Sequence, residues 1–92
     1  MSTRKSLSSP GKRQSTKISE SEVSRILTLM GKKIAAFRKD QGLTIDSTAH
    51  DAGIQVCRYE AIESGSVDPS LFELYELARC LKVSITTLIS GI

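Results

Sequence analysis

The stretch from Leu43 to Gly65 constrains this chain most, because its punctuation allows two short helices joined by one tight turn and little else. Thr44 is placed to cap the first of them by accepting a backbone N–H on its hydroxyl. Ile45, Thr48, Ala49 and Ala52 then follow at helical spacing on and around one face. Gly53 stops that helix, since a chain turning sharply at a helix end enters the left-handed region, which glycine occupies without a Cβ clash. Ile54 plugs the elbow, and from Gln55 a second helix runs to about Ser64. At 100° per residue Tyr59 and Ile62 share its packing face with Gln55 beside them, while Cys57, Glu60, Ala61 and Ser64 lie opposite. Gly65 ends it, Pro69 keeps its predecessor extended, and Ser70 caps the next helix.

Other helices surround this pair. An apolar stripe of Val23, Ile26, Leu27, Met30, Ile34 and Phe37 predicts a long first helix, begun by Ser19 and Glu22 as a capping box and ended at Asp40 or Gln41 before Gly42. Gly31 inside it is a weakness of up to ~1 kcal/mol relative to alanine, or a device where another backbone passes closely. A fourth helix from Leu71 to about Leu81 is expected to bury Leu71, Leu74, Leu77, Ala78 and Leu81. Ser84 then caps a short fifth carrying Ile85, Leu88 and Ile89. No segment alternates with period two between turn signals, so the expected fold is all-α, with five helices in one domain over residues 20–92.

The formal charge of +3 is unevenly placed. Residues 1–19 hold Arg4, Lys5, Lys12, Arg13 and Lys17 with no acid, whereas residues 20–92 carry eight bases and ten acids. This basic arm is rich in Ser and Thr, breaks at Pro10-Gly11, and has too little apolar content to offset the entropy of ordering, so disorder is expected. It is a solubilising tail or an arm for a polyanion. No apolar run approaches the length of a membrane span, and the N-terminus lacks the apolar segment of a secretory signal, which predicts a cytoplasmic protein. Cys57 and Cys80 lack metal-ligand spacing, and with one histidine the chain has too few soft ligands for zinc. Both are expected as free thiols, with no metal and no cofactor. His50 has no evident nucleophile beside it, the carboxylates are scattered, and no glycine loop cradles phosphate, so no catalytic set and no enzyme are expected.

Several segments together carry a resemblance: Met30-Gly31-Lys32-Lys33-Ile34, Phe37-Arg38, Leu43-Thr44, Ala49, Gly53-Ile54, Ile62-Glu63-Ser64-Gly65, Pro69-Ser70-Leu71, Leu77-Ala78, Leu81-Lys82-Val83-Ser84 and Leu88-Ile89. Over about two-thirds of the chain, without gaps, they resemble the phage-repressor-like (Cro/C1, xenobiotic-response-element) helix-turn-helix proteins of bacteria and phages. The resemblance implies a phage-repressor-like DNA-binding domain. Its function would be that of a sequence-specific duplex-DNA-binding transcriptional regulator, a repressor, that inserts helix 3 (about 55–64) in the major groove. The alternative is an antitoxin-like or adaptor module that uses the same fold to dock on a protein partner. A homodimer is expected, because Ile85, Leu88, Ile89 and Ile92 offer more apolar surface than a core of this size covers.

The resemblance also assigns roles. Arg38 and Glu63 stand where such proteins pair helix 1 with the end of helix 3. Ile45 and Val56 stand where the family often has glutamines, so its hydrogen-bonded adenine readout does not transfer. The two are either an apolar pair for a thymine methyl, or Ile45 packs inward to compensate for Thr48, which replaces a usual leucine. Cys57 and Ala61 are small enough for close approach to bases, Cys57 alternatively being a redox-sensitive thiol. Arg58 suits a phosphate or guanine, or is a solvated charge, and Glu60 is placed to accept from cytosine, to repel or to face water. Thr44, Ser64 and Ser66 are expected phosphate contacts, joined in the arm by Arg4, Lys5, Lys12 and Arg13.

Overall fold

The computed structural model describes residues 19–90, which form five helices: α1 (Glu20–Asp40), α2 (Ile45–Ala52), α3 (Val56–Ser64), α4 (Leu71–Leu81) and α5 (Ile85–Ile89). The fold is all-α. The expected basic arm, with Arg4, Lys5, Lys12 and Arg13, lies outside the described residues, as does Ile92. Among the described residues no helix is long and apolar enough to cross a membrane.

Hydroxyl caps start four of the helices. Ser19, Thr44, Ser70 and Ser84 accept the N–H of Glu22, Ser47, Glu73 and Thr87 at 3.0–3.1 Å, each satisfying one orphan donor of a first turn. At Ser70 the arrangement is reciprocal, because the Glu73 carboxylate accepts the Ser70 N–H at 2.8 Å and completes a capping box. The α3 boundary differs by one residue from the sequence expectation: Gln55 is its N-cap, exposed and without a side-chain cap bond. At the other ends paired backbone bonds close the helices. Gly53 N–H reaches His50 O and Ile54 N–H reaches Ala49 O, and Gly65 and Ser66 repeat the pattern on Ile62 and Ala61. Gly53 does this at φ +71°, with open space where a Cβ would stand.

The core gathers Met30 and Ile34 from α1, Ala49 and Ala52 from α2, Tyr59 and Ile62 from α3, Leu77, Ala78, Cys80 and Leu81 from α4, and Leu88 from α5. Two expectations need correction. Leu71, expected inside, is 71% exposed and its neighbour Phe72 70%, because α4 turns Leu74, Leu77, Ala78 and Leu81 inward and leaves its first residues over solvent. At the C-terminal end Leu88 is fully buried and Ile85 half-buried, which leaves Ile89 as the largely exposed member of that set among the described residues. Free apolar surface lies instead on α4, where Tyr75 is exposed one turn beyond Leu71.

Candidate nucleic-acid interface

Helix α3 projects because only one of its faces is anchored. Tyr59 and Ile62 are buried, whereas Val56, Cys57, Glu60 and Ser64 are exposed and Ala61 is half-exposed. The outward surface is thus small or polar, as needed for close approach to another molecule. Ile54, in the turn between α2 and α3, is half-buried against the core.

On its α1 side the helix is held by backbone contact and by a buried ion pair. Gly31 lies so close to the last turn of α3 that a Cβ there would stand 2.7 Å from Ile62 O and closer still to Glu63 O, and a Cβ at Gly65 would stand 2.7 Å from Thr28 Cα. Two glycines therefore let the two backbones cross without side chains between them. Beside that crossing Arg38 Nε donates to Glu63 Oε2 at 2.6 Å and Nη2 to Oε1 at 3.2 Å, with side chains only 9% and 12% exposed. A third donor, Nη1, reaches the Leu43 carbonyl at 2.9 Å, so one guanidinium joins α1, the loop before α2 and the end of α3. The Tyr59 hydroxyl donates to the same carboxylate. Burial, with Glu63 next, raises the Tyr59 pKa well above its ordinary value, so the phenol remains a donor. The hydrogen bond to Glu63 likewise holds Arg38 above its ordinary value against desolvation.

On its α4 side the helix is held differently. Arg58 Nε donates to Glu73 Oε2 at 3.0 Å and Nη2 to Oε1 at 2.9 Å, while Nη2 also reaches the Asp68 carbonyl at 3.2 Å. Arg58, an expected base contact, thus stands in the DNA-free chain with its fork engaged on α4 and the loop before it. Glu73, held mainly by Arg58, sits well below the usual carboxylate range, at about 2. The Ser70-x-x-Glu73 spacing was a signal for the cap. Nothing local announces Arg58 as a partner across 15 residues.

The remaining expected site residues divide. Val56 stands at the surface at the start of α3, but Ile45 is half-buried and packs against the core beside Thr48. The two therefore do not form an exposed apolar pair. Thr48 is 2% exposed, and its Oγ1 has no hydrogen-bond partner among the described residues. Thr44 remains at the surface and spends its hydroxyl on the α2 cap and on Ser47 Oγ. The Ser64 and Ser66 hydroxyls lie 2.9 Å apart, and both can donate to the Ala61 carbonyl, so contact with a phosphate requires one of them to rotate outward. Cys57 is an exposed free thiol. Cys80 is buried, and desolvation pushes its pKa up to about 11, which keeps it protonated and unreactive. His50 is exposed on α2.

Comparison with known proteins places this geometry among relatives. A helix-turn-helix family model (HTH_3) matches residues 34–88. An HTH-type transcriptional regulator, y4dJ, of Sinorhizobium fredii is 32% identical over 62 residues, covering 67% of this chain and 80% of that protein. The crystal structure of the restriction-modification controller protein C.AhdI from Aeromonas hydrophila superposes with a TM-score of 0.66 at 24% identity, covering 67% of this chain and 94% of the other. An HTH_3 family transcriptional regulator from Vibrio cholerae gives 0.69 at 23% identity over 75% of this chain and 39% of its own. The hypothetical transcription factor NHTF from Neisseria gives 0.68 at 16% identity over 84% of this chain and 88% of its own. These structural likenesses establish the shared fold.

Proposed function

Because the chain belongs to the helix-turn-helix family of Cro/C1-type DNA-binding transcriptional regulators, we propose that it is a cytoplasmic repressor that inserts α3 into the major groove of its operator. The supporting observation is the one-sided anchoring of α3. Tyr59 and Ile62 are locked behind it, while Val56, Cys57, Glu60, Ala61 and Ser64 form a thin outer face. In this reading Val56 meets a thymine methyl, the apolar feature of the major groove, and Cys57 and Ala61 allow the backbone to come close. Ile45 acts from behind, as a buttress of α2. Thr44, Ser64 and Ser66 position the domain on phosphates, with the arm residues Arg4, Lys5, Lys12 and Arg13 adding sequence-independent attraction.

The operator-bound form is a homodimer. Tyr75, Ala78, Val83 and Ile85 line a largely apolar groove between α4 and α5, and with the exposed Ile89 they supply a surface that two-fold pairing would cover. The two α3 helices then read half-sites about 34 Å apart. Selection from random duplex DNA tests the function directly. The expected product is a two-fold site whose preferred sequence shifts toward adenine at one position per half-site in Val56→Gln. In Val56→Ala, discrimination at that position should relax by about 1 kcal/mol. Enrichment of no sequence by the wild-type chain would overturn the proposal.

One observation favours a second reading, an antitoxin-like or adaptor module: Leu71 and Phe72 stand far out of the first turn of α4, an apolar tip suited to a protein partner. A stably co-purifying protein lost in Leu71→Ser/Phe72→Ser, together with absence of DNA selection, would establish it.

A further inference from the structure

The two flanks of α3 are not packed alike. α3 packs on α1 and on α2, but toward α4 the contact is sparse, and an open cleft of about 390 Å³ lies there, lined by Ala52, Gly53, Ile54, Arg58, Phe72 and Glu73. What crosses it is the Arg58–Glu73 pair, two parallel hydrogen bonds of 2.9 and 3.0 Å. Both ends are fixed. Glu73 is tied to the start of α4 by its bond from the Ser70 N–H, and Arg58 is tied to the intervening loop by its bond to the Asp68 carbonyl. Arg58 also occupies the flank of α3 between the packed side of Ile62 and the outer side of Ala61, so its tension acts on the rotation of the helix about its axis.

We propose that Arg58 is a positioning residue: its fork on Glu73 spans the open cleft toward α4, sets the rotation of α3, and so determines which bases the Val56, Cys57 and Ala61 edge can reach. This rests on α3 being the DNA-reading helix. It assigns to Arg58, the one arginine on α3, a role in specificity without contact with DNA. The planar, bidentate geometry suits that role, because it resists twisting where a single-point charge would swivel.

The test compares Glu73→Gln, Arg58→Ala, Arg58→Lys and the double variant Arg58→Ala/Glu73→Gln in the full chain, each assayed on the wild-type selected site, on mismatched sites and over a range of salt. Gln at position 73 keeps an acceptor for the Ser70 N–H, so α4 stays capped. A positioning role predicts that Glu73→Gln and Arg58→Ala each weaken the selected site about two- to fivefold, the coupling of a solvent-touching ion pair. They should narrow its margin over mismatched sites, leave the salt slope unchanged, and do no more together than either does alone. Arg58→Lys should recover only part of the effect. A direct DNA contact predicts the opposite sign at one position: Glu73→Gln frees the arginine and tightens binding, while Arg58→Ala lowers the salt slope by about 0.9. That pattern would overturn the proposal. Should the wild-type chain bind no duplex, the DNA reading fails by itself. Amide exchange over residues 59–64, whose N–H groups carry the hydrogen bonds of α3, measured in the free chain, then decides the rest: faster exchange in Glu73→Gln keeps Arg58 as the strut of α3, and unchanged exchange removes it.

Discussion

The α1 flank and the α4 flank of α3 solve one problem with opposite means. On the first, backbones cross at Gly31 and Gly65 and a carboxylate is shared by Arg38 and Tyr59 out of solvent. On the second, an ion pair whose side chains are 38% and 19% exposed spans a cleft. A contact made of backbone and buried charge is costly to disturb, because nothing flexible can give way and a stranded charge cannot be hydrated. A strut in water costs little to lose in stability, and its effect is felt as orientation. With Arg58 in its proposed role, holding a helix in the fold and aiming it are separate tasks assigned to separate residues.

The largest expected effects lie on the α1 flank. Gly31→Ala places its methyl against the Glu63 carbonyl, and Glu63→Ala leaves Arg38 buried without its partner, so each should lower stability by about 3 kcal/mol in urea melts. DNA preference in surviving folded Glu63→Ala should be unchanged. Wild-type melts for both variants would break the comparison, since the α1 flank would then be no firmer than the other.

Two intermediate effects sharpen it by testing positions where a contact is missing. Gly53→Ala meets open space, so its cost is that of the left-handed backbone alone, about 1 kcal/mol, well below that of Gly31→Ala. Thr48→Val removes a buried hydroxyl that has no partner among the described residues, and a gain of about 1 kcal/mol is expected in the same melts. A loss there would show that the hydroxyl is serving a contact.

The smallest effect is on pH dependence. The pKa of Glu73 is lowered from 4.5 to about 2 in the folded chain, so its pair contributes stability that is complete above about pH 4.5 and is lost as the pH falls from there toward 2. Glu73→Gln should flatten the acid limb of the stability curve in that window, the variant starting slightly less stable than wild type at neutral pH and converging with it in acid, by the small amount an exposed pair contributes. An identical acid limb in the variant would place the titration elsewhere.

Local chemistry determined much of this protein. Hydroxyl caps at Ser19, Thr44, Ser70 and Ser84 and the glycine stops were readable because each acts within about five residues of itself. Tyr59 and Ile62 were readable as the inward face of α3 because helical period alone sets which side chains share a side. Tertiary structure decided what depends on distant neighbours. It selected the close-crossing role for Gly31, sent Ile45 inward and left Val56 outside, and exposed Leu71 despite its place in an apolar pattern. It also gave Arg58 a partner within the domain, Glu73, that no local pattern announces. Period tells a residue which side it is on. Only the packed fold tells it what, if anything, is waiting there.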